Sequence, residues 1–252
     1  MLCNYKIAII KIKRLSEKQL NKKRIAITGG NGRFAKVLKN TNKSLKIYYP
    51  GKKELDVLKI NSIQKFIKKY KINYLVHNAA LSRPMKIHDK NIIKSIDLNI
   101  IGTANLVKTC KKYNVKIVYF STNYVYKCTR GNYKESDGIN PINNYGLSKM
   151  GGEASVLMYK NSLVLRIQMT EKPFAYKKAY TNVYSNYMFH DEMVSYLPKL
   201  INHFGIINVG GKSRSSYNFA KFHNNKTVKA KNKDKNFPSK QTMNLNKLKK
   251  IL

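Results

Sequence analysis

Tyr145 and Lys149 stand four positions apart in Asn144-Tyr145-Gly146-Leu147-Ser148-Lys149, so on a helix they share one face, a turn from each other. A phenol with a pKa near 10 is a poor proton donor or acceptor at neutral pH, and an adjacent ammonium corrects this. The pairing suits proton transfer to or from an oxygen. Tyr-x-x-x-Lys arises readily by chance in a chain with 50 Lys+Arg and 18 Tyr, so its surroundings must decide. A glycine-rich turn follows a strand upstream, and the hydroxyls of Ser121-Thr122 close another strand between the two.

Those groups need a scaffold that brings them together. Residues 24–28 read as a short buried strand, which runs into Gly29-Gly30-Asn31-Gly32-Arg33-Phe34-Ala35 and a helix to about 40. Glycines there allow a tight turn and close approach of backbone N–H groups to a pyrophosphate, with a helix N-terminus facing the anion. Further strands are predicted at 46–49, 73–77, 116–120 and 163–166, and helices at 62–70, 91–113 and from Tyr145 to Tyr159. This alternation predicts a Rossmann-type doubly wound parallel sheet with right-handed crossovers, binding its ligand at the carboxyl edge. Asn99, among apolar neighbours in the long helix, needs a partner or a bend. Tyr49-Pro50-Gly51-Lys52-Lys53 lacks the acidic residue usual in NAD-preferring domains, which favours NADPH over NADH, with Arg33 assisting.

Past Arg166 the pattern thins to a helix at 191–203, a strand at 206–209, a helical turn or two at 216–221, a solvated loop at 223–240 and an amphipathic piece at 245–252. The expected organisation is a basic extension (1–23), a dinucleotide-binding domain (24–166) and a small C-terminal substrate-binding annex (167–252) that returns one strand to the sheet. The net charge of +38 raises nucleic-acid binding, yet the lysines are spread from end to end in a chain also rich in Asn, Ile and Tyr. The charge therefore reads as compositional, and no specific nucleic-acid partner is expected. Cys3, Cys110 and Cys128 lack zinc or disulfide spacing, and five unpaired His argue against a metal. No apolar run approaches the ~20 residues of a membrane span, and a reducing, cytoplasmic setting is expected.

Together these landmarks resemble the extended short-chain dehydrogenase/reductase family, and within it the dTDP-4-dehydrorhamnose reductases. The residues carrying this are Thr28 to Gly32, Glu54-Leu55-Asp56, Asn78-Ala79-Ala80, Asn99 with Gly102-Thr103, Ser121 to Tyr126, Pro141 with Tyr145 to Lys149, and Gly152-Glu153. The resemblance implies Tyr145 as the acid that protonates a sugar carbonyl, Lys149 as the ribose contact that lowers the Tyr145 pKa, and Thr122 as a second donor to that oxygen. It places Gly29, Gly30, Asn31, Gly32, Arg33 and Phe34 at the pyrophosphate, and Asp56 and Val57 at the adenine. Asn78, Ala79 and Ala80 would line the cofactor channel, with Asn99 in a structural or relay position. Arg83, Asn123 and Arg166 are expected to meet a nucleotide-sugar substrate, and a homodimer is compatible with the family.

The implied activity is NAD(P)H-dependent reduction of a nucleotide-linked 4-keto-6-deoxy sugar. A 4,6-dehydratase would need an Asp-Glu pair after Thr122, where Asn123-Tyr124 stand instead. A 4-epimerase uses the same three groups, and a non-catalytic dinucleotide-binding regulatory subunit would also retain the fold. Asn123 replaces a usual aspartate, and Ile167-Gln168-Met169 departs from the family's polar-aromatic run.

Overall fold

The computed structural model describes residues 20–42, 45–174, 176–224, 226–234 and 237–252. The basic extension expected at 1–23 lies almost wholly outside them. Six strands form one parallel sheet: β1 (Ile25–Ile27), β2 (Ile47–Tyr48), β3 (Tyr74–His77), β4 (Lys116–Thr122), β5 (Ser162–Ile167) and β10 (Gly205–Val209), in the order β2-β1-β3-β4-β5-β10. The chain reverses direction across the sheet between β1 and β3, the position at which open α/β sheets leave a crevice.

Successive strand residues point to opposite faces, and the two cores follow that period. Ile25, Ile27, Val118, Phe120, Leu163 and Leu165 pack with α1 (Arg33–Thr41) and, from the annex, α7 (His190–Leu200). Ala26, Leu75, Ile117, Tyr119 and Val164 pack on the other face against α2 (Ile60–Tyr70), α5 (Gly102–Lys112) and α6 (Asn144–Leu157). Both faces are covered, which is why these strands read as unbroken apolar runs.

The single helix predicted over 91–113 is three pieces. After the short α3 (Ile87–Lys90), α4 (Ile92–Ile96) leads into one π-helical turn, Asp97–Ile101, and then α5. The cause is Asn99. Its carboxamide oxygen accepts from Leu81 N at 2.8 Å, and its Nδ2 donates to Leu81 O at 3.0 Å and Ser148 Oγ at 2.9 Å. A widened turn carries this buried amide where it ties the segment after β3 to α6. The partner and the bend are both present.

The annex is built from short pieces. β6 (Met169–Thr170) pairs with β9 (Met188–Phe189), β8 (Tyr184–Ser185) with β11 (Arg214–Ser215), and β7 (Lys178–Tyr180) with β12 (Val228–Ala230). β12 falls inside the stretch expected to be a solvated loop. Val228-Lys229-Ala230 is too short for its alternation to carry a strand signal in a lysine-rich stretch; its pairing to β7 comes from tertiary contact. Helices α8 (Ser216–His223) and α9 (Asn246–Lys249) complete the annex.

Candidate active site

β1 ends at Ile27 and the backbone turns at Gly29 with φ of 68°, a left-handed conformation that suits glycine. Gly32, the N-cap of α1, offers no capping side chain, so the first-turn N–H groups face the crevice. Gly30 serves differently, since a Cβ there would collide with the Tyr49 carbonyl of the neighbouring crossover. Thr28 fixes the adjoining strand end: its Oγ1 accepts from Asn78 N at 3.1 Å and Ala79 N at 3.0 Å. Its own proton then goes to His77 Nδ1 at 2.9 Å. His77 Nε2–H meets Thr103 Oγ1 at 2.9 Å, and Thr103 donates to Asn99 O at 2.7 Å. Every proton in this buried chain is assigned with His77 neutral. Burial, with the Lys149 charge added, holds its pKa down to about 3.

β4 delivers Thr122 at its carboxyl end, and α6 delivers Tyr145 and Lys149 on one face, with Asn143 capping the helix at Gly146 N. All three line a single cleft of about 1250 Å³. The same cleft is lined by Gly29, Asn31, Gly32, Arg33 and Phe34 of the glycine turn, by Asp56 and Val57, and by Asn78, Ala79 and Ala80 after β3. The separate segments named from sequence therefore converge. From the annex, Phe174, Tyr176, Tyr180, Tyr187 and Phe237 close the cleft with aromatic surface, a contribution that no motif in the sequence announced.

Burial raises the Tyr145 pKa, opposed by a hydrogen bond with Thr122 and by the Arg83 charge. The Lys149 amine lies 4.1 Å from the Tyr119 ring centroid, and burial brings its own pKa to about 7.

Two residues expected at the substrate lie elsewhere. Arg166 does not reach the cleft: it is 2% exposed, its Nη2 lies 2.6 Å from Glu153 Oε1, and its Nη1 donates to Tyr126 Oη at 2.7 Å. A guanidinium buried and held in this way is turned away from the cleft. Asn123 is likewise buried, donating to Ser185 Oγ at 3.0 Å and to Gln241 O at 3.2 Å, so it anchors annex to sheet. Asn99, expected in a structural or relay position, is the structural tie described above and does not line the cleft. Arg83 does line the cleft, and with Arg33 it grips Glu171 of the annex at 2.8 and 2.5 Å. Arg33 therefore faces the annex rather than the Lys52 end of the cleft.

Among the described residues no three His, Cys, Asp or Glu side chains gather into a metal-binding group, and no helix is long and apolar enough to cross a membrane.

The chain is 30% identical over 168 residues to methionine adenosyltransferase 2 subunit beta of Bos taurus, covering 61% of this chain and 49% of that protein. It is 28% identical over 152 residues to dTDP-4-dehydrorhamnose reductase of Aggregatibacter actinomycetemcomitans, covering 58% and 51%. The chain thus spans about half the length of these curated relatives. A crystal structure of dTDP-4-dehydrorhamnose reductase from Bacillus anthracis in complex with NADP shares the fold, with a TM-score of 0.81 at 23% identity over 90% of this chain and 91% of that one. Residues 23–184 match the family model described as the RmlD substrate binding domain, and the chain belongs to that family.

Proposed function

We propose that this protein is an NAD(P)H-dependent reductase of a nucleotide-linked 4-keto-6-deoxy sugar. The observation that carries the reading is the meeting of Thr122, Tyr145 and Lys149 in one cleft with the glycine turn and the start of α1. The turn fits a dinucleotide: Gly29 takes a positive φ, Gly32 leaves the first N–H groups of α1 uncapped, and the small Ala79 and Ala80 leave room beside them. Gly29, Asn31, Gly32 and Phe34 would hold the pyrophosphate, and Asp56 and Val57 would border the adenine. Lys52 lines the same end and would favour a 2′-phosphate. When bound, a nicotinamide dinucleotide supplies the hydride.

The chain's own residues supply the rest. Tyr145 gives its phenolic proton to the substrate's carbonyl oxygen, and Thr122, at the end of β4 in the same cleft, holds that oxygen where charge develops. Lys149 contributes positive charge beneath, and the aromatic annex excludes water from the reacting carbon. The diphosphate of a nucleotide sugar would be drawn to Arg83 at the cleft edge.

A second reading draws on the 30% identity to methionine adenosyltransferase 2 subunit beta: a dinucleotide-binding regulatory subunit that acts through a partner enzyme. Oxidation of NADPH followed at 340 nm, against a panel of dTDP-, UDP- and GDP-linked 4-keto-6-deoxy sugars, separates the two. Turnover with one of the panel supports the reductase. No oxidation, with NADPH bound and a larger enzyme copurifying, supports the regulatory subunit.

A further inference from the structure

Behind the reactive face of α6 lies a set of charges that the proposed reaction does not use. Glu153 is 0% exposed, one helical turn beyond Lys149 on the same helix face. A carboxylate withdrawn from water persists as an anion only if fully partnered. Here it is: Arg166 approaches Oε1 through Nη2 at 2.6 Å and Nε at 3.1 Å, and Ser121 Oγ donates to Oε2 at 2.6 Å. Arg166 is held in turn by Tyr126 Oη at 2.7 Å, which donates to Asn208 Oδ1 at 2.8 Å, and by the Glu135 carbonyl. The anion is thus fixed from β4, β5 and α6 together, more rigidly than one helical salt bridge requires.

The groups around Lys149 leave Glu153 as the anion that its amine feels. From its own helix come Tyr145 and Glu153. From β3 comes His77, neutral by its hydrogen bonds, and from β4 Tyr119, whose ring faces the amine and whose hydroxyl donates to Lys149 O at 3.1 Å. From β5 comes Arg166, acting through Glu153, and from the segment after β3 comes Arg83, acting on Tyr145. Opposing burial, the Glu153 charge raises the Lys149 pKa.

We propose that Glu153 is a positioning residue whose carboxylate, paired with Arg166 and one helical turn from Lys149, favours the ammonium at the cleft through its field rather than by contact, and that Arg166 sets how much of that charge Lys149 feels. Arg166 is thereby given a part in the site without touching any ligand. The kinetic consequence rests on the proposed reductase reading, but the charge coupling can be tested without turnover.

The test is a four-cornered set of full-length chains: wild type, Glu153→Gln, Arg166→Met and the double variant. The protonation of Lys149 is read by trace labelling with acetic anhydride from pH 6 to 10, followed by peptide mass spectrometry. A charge one turn away in a medium of effective dielectric near 20 moves such a titration by about one to two pH units. Glu153→Gln should lower the Lys149 midpoint by about that much. Arg166→Met frees the carboxylate and should raise it. The double variant, which keeps neither buried charge and so avoids an uncompensated ion, should fall between Glu153→Gln and wild type. A merely structural role would not give opposite signs. Equal or same-direction shifts in the two single variants overturn the inference; if one fails to fold, the double variant against the other single decides. Should the reductase reading hold, the alkaline limb of NADPH oxidation must move with the label. Correct labelling without NADPH oxidation would sink only that reading.

Discussion

Gly152 sits where α6 crosses the π-helical turn, and Gly152→Ala tests whether that crossing positions the reactive helix. In an isolated helix, Gly→Ala gains about 1 kcal/mol. A Cβ at this position, however, would lie 2.5 Å from Asn99 O, 2.6 Å from Tyr119 Oη and 3.1 Å from Thr103 Oγ1. None of these neighbours can yield cheaply. Asn99 O is backbone and accepts from Thr103, and the Tyr119 hydroxyl donates to Lys149 O. Restoring ordinary contact needs a displacement of roughly 1 Å, and overpacking of this kind costs about 1–3 kcal/mol, so the packing penalty outweighs the helix gain. For a chain of this size each kcal/mol corresponds to about 2–4 °C, and the expected fall in Tm is a few degrees. Because α6 carries Tyr145 and Lys149, the same shift should lower kcat/KM by up to about 10²-fold. Calorimetry and NADPH oxidation on the two chains measure both effects. A rise in Tm, as helix propensity alone would give, would refute the close approach of α6 to Asn99.

Three other perturbations follow from the same geometry. Tyr145→Phe removes the proton donor and should lower turnover by about 10²–10⁴-fold while NADPH affinity, by isothermal calorimetry, stays within a factor of about three. Burial alone would raise the Glu171 pKa, but a backbone hydrogen bond and the Arg83 and Arg33 charges outweigh it and hold the carboxyl at about 2. Its stabilisation is present above about pH 4.5 and lost as pH falls towards 2, so Glu171→Gln should cost on the order of 1 kcal/mol at pH 7 and nothing near pH 2 in denaturant titrations. Lys116 is buried with its amine against the Phe204 ring, and desolvation lowers its pKa to about 7. The unfolded chain binds this proton more tightly, so the penalty is largest below pH 7 and fades towards pH 10.5. Lys116→Met should raise stability by about 1–3 kcal/mol at pH 6 and converge on wild type in alkali.

Local patterning determined much of this protein. Unbroken apolar runs bounded by glycine and polar residues specify buried parallel strands, because both sheet faces are covered. The turn at Gly29 and the Tyr145–Lys149 spacing are readable because each is set by backbone geometry within a few residues. What tertiary structure alone decided are the relations between charges distant in sequence. Arg166 and Glu153 look like ordinary polar positions, 13 residues apart, until β5 and α6 press them together away from water. The annex strands are too short to carry a period, so their pairing, and the aromatic wall they give the cleft, arise only by docking on the sheet. Asn99 shows both sides: its burial demanded a partner from the sequence, but only the folded chain could bring Leu81 and Ser148 to it.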